Sequence, residues 1–201
     1  MRSSLIIAAF FLSGLLLGRT GIIPEEVPID MLMEWALYIL MTIVGLAFGS
    51  DPRLKEMVIS FRPGQLLLPL ATIAGTIAGV LVLHLFVGKL SLADSLAIGS
   101  GFGYYSLSSI LINNYSGEVA GTIALLANVS REILTLLLIP ALVKYFGNYA
   151  PICSAGATSM DTTLPLIVRF TGKEFLVISM VHGIILTLLV PFIISLIYAV
   201  F

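Results

Sequence analysis

The sequence predicts an all-α polytopic membrane protein, and three observations carry that. Hydrophobic residues make up 59% of the 201-residue chain and charged residues 10%, where a soluble domain carries roughly 25% charged residues. Mean hydropathy is +1.11. The apolar runs are continuous and approach the roughly 20 residues of a crossing helix, whereas a β-barrel shows alternating segments of about 10. About seven transmembrane segments of bilayer-spanning length fit, two of them broken or re-entrant. Residues 1–201 therefore read as one integral membrane transport domain, with a three-helix unit over 1–90 and a broken-helix unit over 91–201.

Charge and motifs narrow the function. A net charge of −1 offers no basic surface for nucleic acid, and the single Cys153 excludes an internal disulfide framework. There is no metal-spaced Cys/His cluster, no phosphate-binding glycine loop and no nucleophile elbow. No catalytic residue, metal or cofactor is expected. With no large soluble domain to hydrolyse ATP, transport would draw on a gradient or a separate partner.

Taken in order, Ser4–Leu17 follows Arg2, lacks an Ala-x-Ala cleavage site and has membrane segments behind it, so it reads as a first helix over roughly Ser4–Ile23. Asp30 caps a second helix, Met31–Phe48, with Glu34 and Trp35 in its interfacial first turn. The loop Gly49–Gly64 holds Arg53, Lys55 and Arg62 and is placed in the cytoplasm by the positive-inside rule. Gln65–Val87 is a third helix whose Gly75 and Gly79 would let another helix approach closely. Its His84 reads as interfacial. Leu92–Ile98 and Leu107–Ile112 read as helix around Gly99-Ser100-Gly101-Phe102-Gly103-Tyr104-Tyr105-Ser106. Alternate glycines there suit either tight helix packing or an unwound crossing that exposes Ser100, Tyr104 and Ser106. Asn113–Gly117 reads as a turn.

Glu118–Val143 is a fifth segment with Asn128, Arg131 and Glu132 on one helical face. About ten apolar or small residues flank them on each side, which places them near the bilayer middle. A central charge costs about 2.5–3.5 kcal/mol on insertion scales and by default marks a functional site. Arg131 and Glu132 are adjacent, so they point about 100° apart and would face different partners. A re-entrant turn at Asn128-Val129-Ser130 is an alternative. Lys144–Pro151 is a short loop. Gly156-Ala157-Thr158-Ser159-Met160-Asp161-Thr162-Thr163-Leu164-Pro165 is too polar for an ordinary crossing, and Pro165 should hold Leu164 outside the α region. Non-helical backbone at membrane depth requires cover by protein or a water-filled cavity, and its Asp161 marks a substrate, ion or proton site. Phe175–Phe201 is the last helix, where Pro191 would kink it and His182 is either a buried neutral imidazole or a proton relay. The count puts the N-terminus in the cytoplasm and the C-terminus outside.

The run from Gly99 to Ser108 resembles the prokaryotic lysine exporter (LysO-like) family. So do Asn128–Ile133, Gly156–Asp161 with Leu164-Pro165, and Val181-His182-Gly183 on to Leu189-Val190-Pro191. The resemblance is dense over residues 95–195 and looser before. It implies export of L-lysine and its analogue thialysine across the inner membrane, and its two membrane-embedded acids carry over to Glu132 and Asp161. Longer members begin with a further apolar region resembling the first three helices here. Either a separate small membrane subunit supplies that region or this form assembles as a homo-oligomer.

Lysine has one carboxylate and two ammonium groups. Arg131 suits the carboxylate, and Glu132 with Asp161 suits the ammonium groups, with Asn128 and Ser159 or Thr162 completing hydrogen bonds. Ser100, Tyr104 and His182 complete the candidate substrate- and proton-binding set. An acid that holds either a proton or an ammonium group suits lysine/proton antiport by alternating access. The alternatives are a sodium-coupled carrier, with oxygens from Thr158, Ser159, Asp161 and Thr163, and a non-transporting subunit whose polar residues hold helices together.

Overall fold

The computed structural model describes residues 63–201 and isolated positions between 13 and 52. The first two expected helices and most of the loop Gly49–Gly64 lie outside the described residues. The chain divides into two units, Met1–Ala47 and Phe48–Phe201. All that follows concerns the second.

Every described element of this unit is helical. A 3-10 turn, Pro63–Leu66, leads into α1, Leu67–Val87. Short helices α2 (Leu92–Gly99) and α3 (Tyr105–Ser116) precede the long α4, Glu118–Phe146. Then α5 (Ala150–Ala155) passes through a 3-10 turn, Gly156–Met160, into α6, Leu164–Thr171. A last 3-10 turn, Lys173–Phe175, starts α7, Leu176–Val200. Three stretches among the described residues are long and apolar enough to cross a membrane: Leu67–Phe86, Glu118–Phe146 and Lys173–Val200. Five of the seven expected crossings fall in this region, where three helices are long and apolar enough to span and α2, α3, α5 and α6 are each short.

The short helices form two hairpins that enter the bundle from opposite ends. At the end where α7 finishes, Tyr198 Oη donates to Asp94 Oδ1 (2.7 Å) and Tyr115 stacks on the Tyr198 ring with centroids 4.7 Å apart. Asp94 opens α2 and Tyr115 closes α3, so both outer ends of this first hairpin lie at the C-terminal end of α7. Ser91 caps α2 by accepting from Asp94 N (3.0 Å). At the end where α7 begins, Tyr149 meets the Phe175 ring edge to face at 5.3 Å. Tyr149 precedes α5, and α6 runs through Gly172 straight into Lys173–Phe175. The second hairpin therefore has its outer ends at the N-terminal end of α7. Each hairpin is followed by a long helix, α4 or α7, and the two units run in opposite directions.

The hairpin tips meet between the long helices. Ala157 N donates to Phe102 O (2.8 Å) across the contact. Both tips need glycine. Gly103 has φ +90°, and a Cβ there would lie 3.1 Å from Ala155 O. Gly156 has φ +66°, and a Cβ there would lie 2.1 Å from Phe102 O. Only a residue without Cβ permits both that backbone angle and that approach. Apolar packing supports the second hairpin, where Ile139 of α4, Ile152 and Ala155 of α5, and Ile167 of α6 form a fully buried cluster.

Several local expectations are corrected. The first glycine-rich stretch is unwound over Ser100–Tyr104, not a closely packed continuous helix. Asn113–Ser116 is the last turn of α3, and only Gly117 (φ +85°) makes the turn. α4 is continuous through Asn128-Val129-Ser130, so it does not re-enter there, and it continues past Val143 into the expected loop. Leu164 is the first residue of α6, because Pro165 sits in the first helical turn where its missing N–H costs nothing. Nothing among the described residues lies within 4 Å of a Cβ built at Gly75 or Gly79. The glycines that α1's neighbours do crowd are elsewhere, as at Gly99, where Val80 packs at 2.5 Å from a built Cβ.

Gly156→Ala should therefore disrupt the tip contact outright. We expect a lower thermal unfolding midpoint in detergent and a stability loss of about 2 kcal/mol or more. An unchanged midpoint would argue against the tip-to-tip arrangement.

Candidate functional site

The polar residues singled out in the sequence gather around the meeting tips, and α4 organises them. Asn128 is 2% exposed. Its Oδ1 accepts from Gly103 N (2.8 Å), and its Nδ2 donates to Ile98 O (3.0 Å) and to Ala124 O (2.9 Å). It thus replaces helical hydrogen bonds lost where the first hairpin unwinds. One turn on, Arg131 does the same for the second hairpin. Its Nε donates to Ser154 O (2.9 Å) and its Nη2 to Cys153 O (3.1 Å), at the C-terminal end of α5. A guanidinium suits that end, where orphan carbonyls carry partial negative charge. The cation also lies 5.9 Å from the centroid of the Phe102 ring. Thr135, a further turn along, bonds Ser154 Oγ at 2.8 Å.

The two acids lie on the other side of this clamp. Glu132 is 1% exposed on α4. Asp161 is exposed in the turn before α6, and Thr162 is exposed beside it. Asp161 Oδ1 accepts from Thr162 N, and from Thr162 Oγ1 at 3.3 Å. Asp161 feels the charge of Glu132, and both act on Tyr105 at the start of α3, with Tyr104 within reach of Asp161. Asp161 thus stands near the N-terminal starts of both α3 and α6, where backbone N–H groups favour negative charge. Arg131 stands at a C-terminal end. Charges of each sign meet the helix ends of opposite sign.

α7 fixes the second tip through His182, which is fully buried. Its Nδ1 lies 3.0 Å from Ser159 Oγ, and its Nε2 lies 2.9 Å from Thr72 Oγ1 on α1. Ser159 donates its own proton to Ser179 O (2.9 Å), so towards the imidazole it accepts. Thr72 Oγ1 in turn donates to Leu68 O (3.1 Å). Gly183 lets α7 approach the tip, since a Cβ there would lie 2.7 Å from Met160 Cβ and 2.8 Å from Ala157 O. In the first tip, Ser100 is fully buried and its hydroxyl has no hydrogen-bond partner.

Of the nine predicted site residues, Asn128, Arg131, Ser159 and His182 make the bonds that build the two tips. Glu132, Asp161 and Thr162 flank them, with Tyr104 alongside. Sequence reasoning missed Thr72, Tyr105, Thr135 and Ser154. A hydroxyl four residues from a backbone acceptor is common in apolar helices, so Thr72 carries no signal of its own. Among the oxygens expected for a sodium cage, Thr158 Oγ1 donates to Ala155 O (3.0 Å), Thr163 Oγ1 donates to Thr158 O (2.8 Å), and Ser159 is engaged as above. No group of three or more His, Cys, Asp or Glu residues suited to a metal occurs among the described residues.

With that geometry in place, comparison with known proteins is informative. Residues 8–198 match the family described as the lysine exporter LysO. The chain is 34% identical over 162 residues to the lysine exporter LysO of Escherichia coli, covering 81% of this chain and 53% of that protein. It is 36% identical over 159 residues to a candidate lysine exporter of Haemophilus influenzae, covering 77% of this chain and 80% of that one. It therefore spans about half the length of the E. coli relative. No solved structure matches.

Replacing Asn128 by Leu leaves Gly103 N–H without its acceptor in a buried tip. This should cost about 1–3 kcal/mol, read as a lower unfolding midpoint in detergent micelles. A midpoint equal to that of the unmodified protein would show that the tip does not depend on this clamp.

Proposed function

The chain belongs to the lysine exporter family, and from that premise we propose that it exports L-lysine, and analogues such as thialysine, across the inner membrane by lysine/proton antiport. The observation that carries this reading is the pair of acids at the junction of two broken helices, buried Glu132 on α4 and Asp161 in the turn before α6, which feels the charge of Glu132. Structural glue would not require an acid at a hairpin tip that is already bonded by other groups. Two carboxylates match the two ammonium groups of lysine, and Ser100, Tyr104 and Thr162 supply hydroxyls beside them. His182 holds the tip against α7 and shares the proton- and substrate-binding region.

The two hairpins are read as re-entrant, each dipping into the bilayer from one side to the middle. That arrangement suits alternating access, because inverted units place one site between two entries. It also favours an orientation. Lys144, Arg169 and Lys173 lie at the end where α7 begins, and Lys89 lies at the other. The positive-inside rule then puts the start of α7 in the cytoplasm and the C-terminus outside. The re-entrant reading puts Lys144 on the cytoplasmic side.

Energetics favour protons as the counter-ion. Moving one positive charge outward against an inside-negative potential costs about 2.3 kcal/mol per 100 mV, and exchange for one proton cancels this. A carboxylate that binds a proton or an ammonium group, but not both, performs the exchange.

Radiolabelled L-lysine counterflow in vesicles, at two pH values, tests the proposal. Asp161→Asn and Glu132→Gln should each reduce pH-sensitive counterflow by about tenfold or more, with the folded protein retained. Counterflow that is indifferent to the proton gradient and to both substitutions would sink the antiport reading.

A further inference from the structure

A cavity of about 380 Å³ opens between α1, α2 and α4. At its mouth stands Lys89, in the loop between α1 and α2, with His84 one turn back on α1. On the α4 side it is lined by Asn128 and Arg131, with Thr76 and Ser95 on the walls. Among the described residues its ionisable groups are His84, Lys89 and Arg131, and no carboxylate lines it. A pocket with one sign of charge and apolar walls concentrates ions of the opposite sign.

The wiring of these groups leaves donors for a ligand. Arg131 uses Nε and Nη2 on two carbonyls, so Nη1 and its two N–H groups remain. Neither carbonyl neutralises its charge. Ser95 donates to Ser91 O (2.9 Å) and so accepts from His84 Nδ1–H at 3.0 Å, which turns the imidazole's other nitrogen away from that bond. Asn128 has no donor left, as both of its Nδ2 bonds go to carbonyls. Glu132 neighbours Arg131 in sequence but is absent from the lining, as the 100° step of an α-helix requires. α4 thus presents Arg131 to the chamber and turns the neighbouring Glu132 out of its lining.

We propose that this chamber is a carboxylate-binding site, on Arg131 and reached past Lys89 and His84, that takes the carboxylate of the amino-acid substrate while its ammonium groups stay with Glu132 and Asp161. The assignment of the ligand to the substrate rests on the export reading; the anion site itself rests on the cavity alone. The chamber opens at the end of the bundle assigned to the outside, so the substrate departs carboxylate first. A free cationic amino acid approaching from outside meets Lys89 and Arg131, two groups of its own sign, which weakens rebinding.

Saturation-transfer NMR with acetate as probe, on the full chain in nanodiscs, tests this. Transfer to the acetate methyl is expected, weakened about tenfold in Lys89→Glu, a mouth position that clamps neither tip. Lysine should displace acetate, and lysinamide, which lacks the carboxylate, should not. Absence of transfer, or transfer unchanged in Lys89→Glu, overturns the site. Displacement by chloride but not by lysine overturns the assignment to the substrate. Counterflow of lysine without acetate binding removes this chamber and leaves the export reading standing. Acetate binding without counterflow supports the chamber and removes the export reading.

Discussion

Backbone that leaves the helical path inside a membrane has no water to satisfy its donors and acceptors. In this protein two hairpin tips leave that path in the same small volume, and everything around them answers that demand. The first tip is bonded by Asn128 and the second by Arg131, one turn apart on α4. Ser159 and His182 anchor the second tip to α7, and Thr72 ties the same imidazole to α1. The long helices are long and regular because they carry the clamps; the short ones are short because they end where the clamps take over.

The same constraint explains why charge is tolerated at this depth. Arg131 faces carbonyls at a helix C-terminus, and Asp161 stands before helix starts, so fixed dipoles offset much of the cost of bringing ions out of water. Asp161 feels the charge of Glu132, while the Arg131 guanidinium is bonded to the Ser154 and Cys153 carbonyls.

Much of this was legible in the sequence, and the failures have physical causes. Composition alone gave the helical membrane class, and an acid next to proline in a polar run located the second tip. Alternate glycines at Gly99, Gly101 and Gly103 located the first but left its state open, since small residues serve both close packing and unwinding. Hydropathy does not fix the crossing count, because it reports burial and not direction. Leu92–Gly99 and Tyr105–Ser116 are apolar enough to look like one crossing, and only the bond from Tyr198 to Asp94 and the stack of Tyr115 on Tyr198 show that both ends return to one side. Gly75 and Gly79 matched a packing motif without a partner among the described residues, because the motif records permission to approach and not an approach. The clamps on Ser154 and Cys153 were invisible, since an arginine bonded to carbonyls leaves no trace in the identity of the residues it holds.

The hydrogen bond from Ala157 N to Phe102 O is the sole backbone bond recorded between the two tips. It makes them an interlock. Withdrawing either hairpin bares a donor on one side and an acceptor on the other, and each must find water before the movement is complete. With both hairpins in place this pair is satisfied without water, and with both withdrawn the most backbone is left unsatisfied.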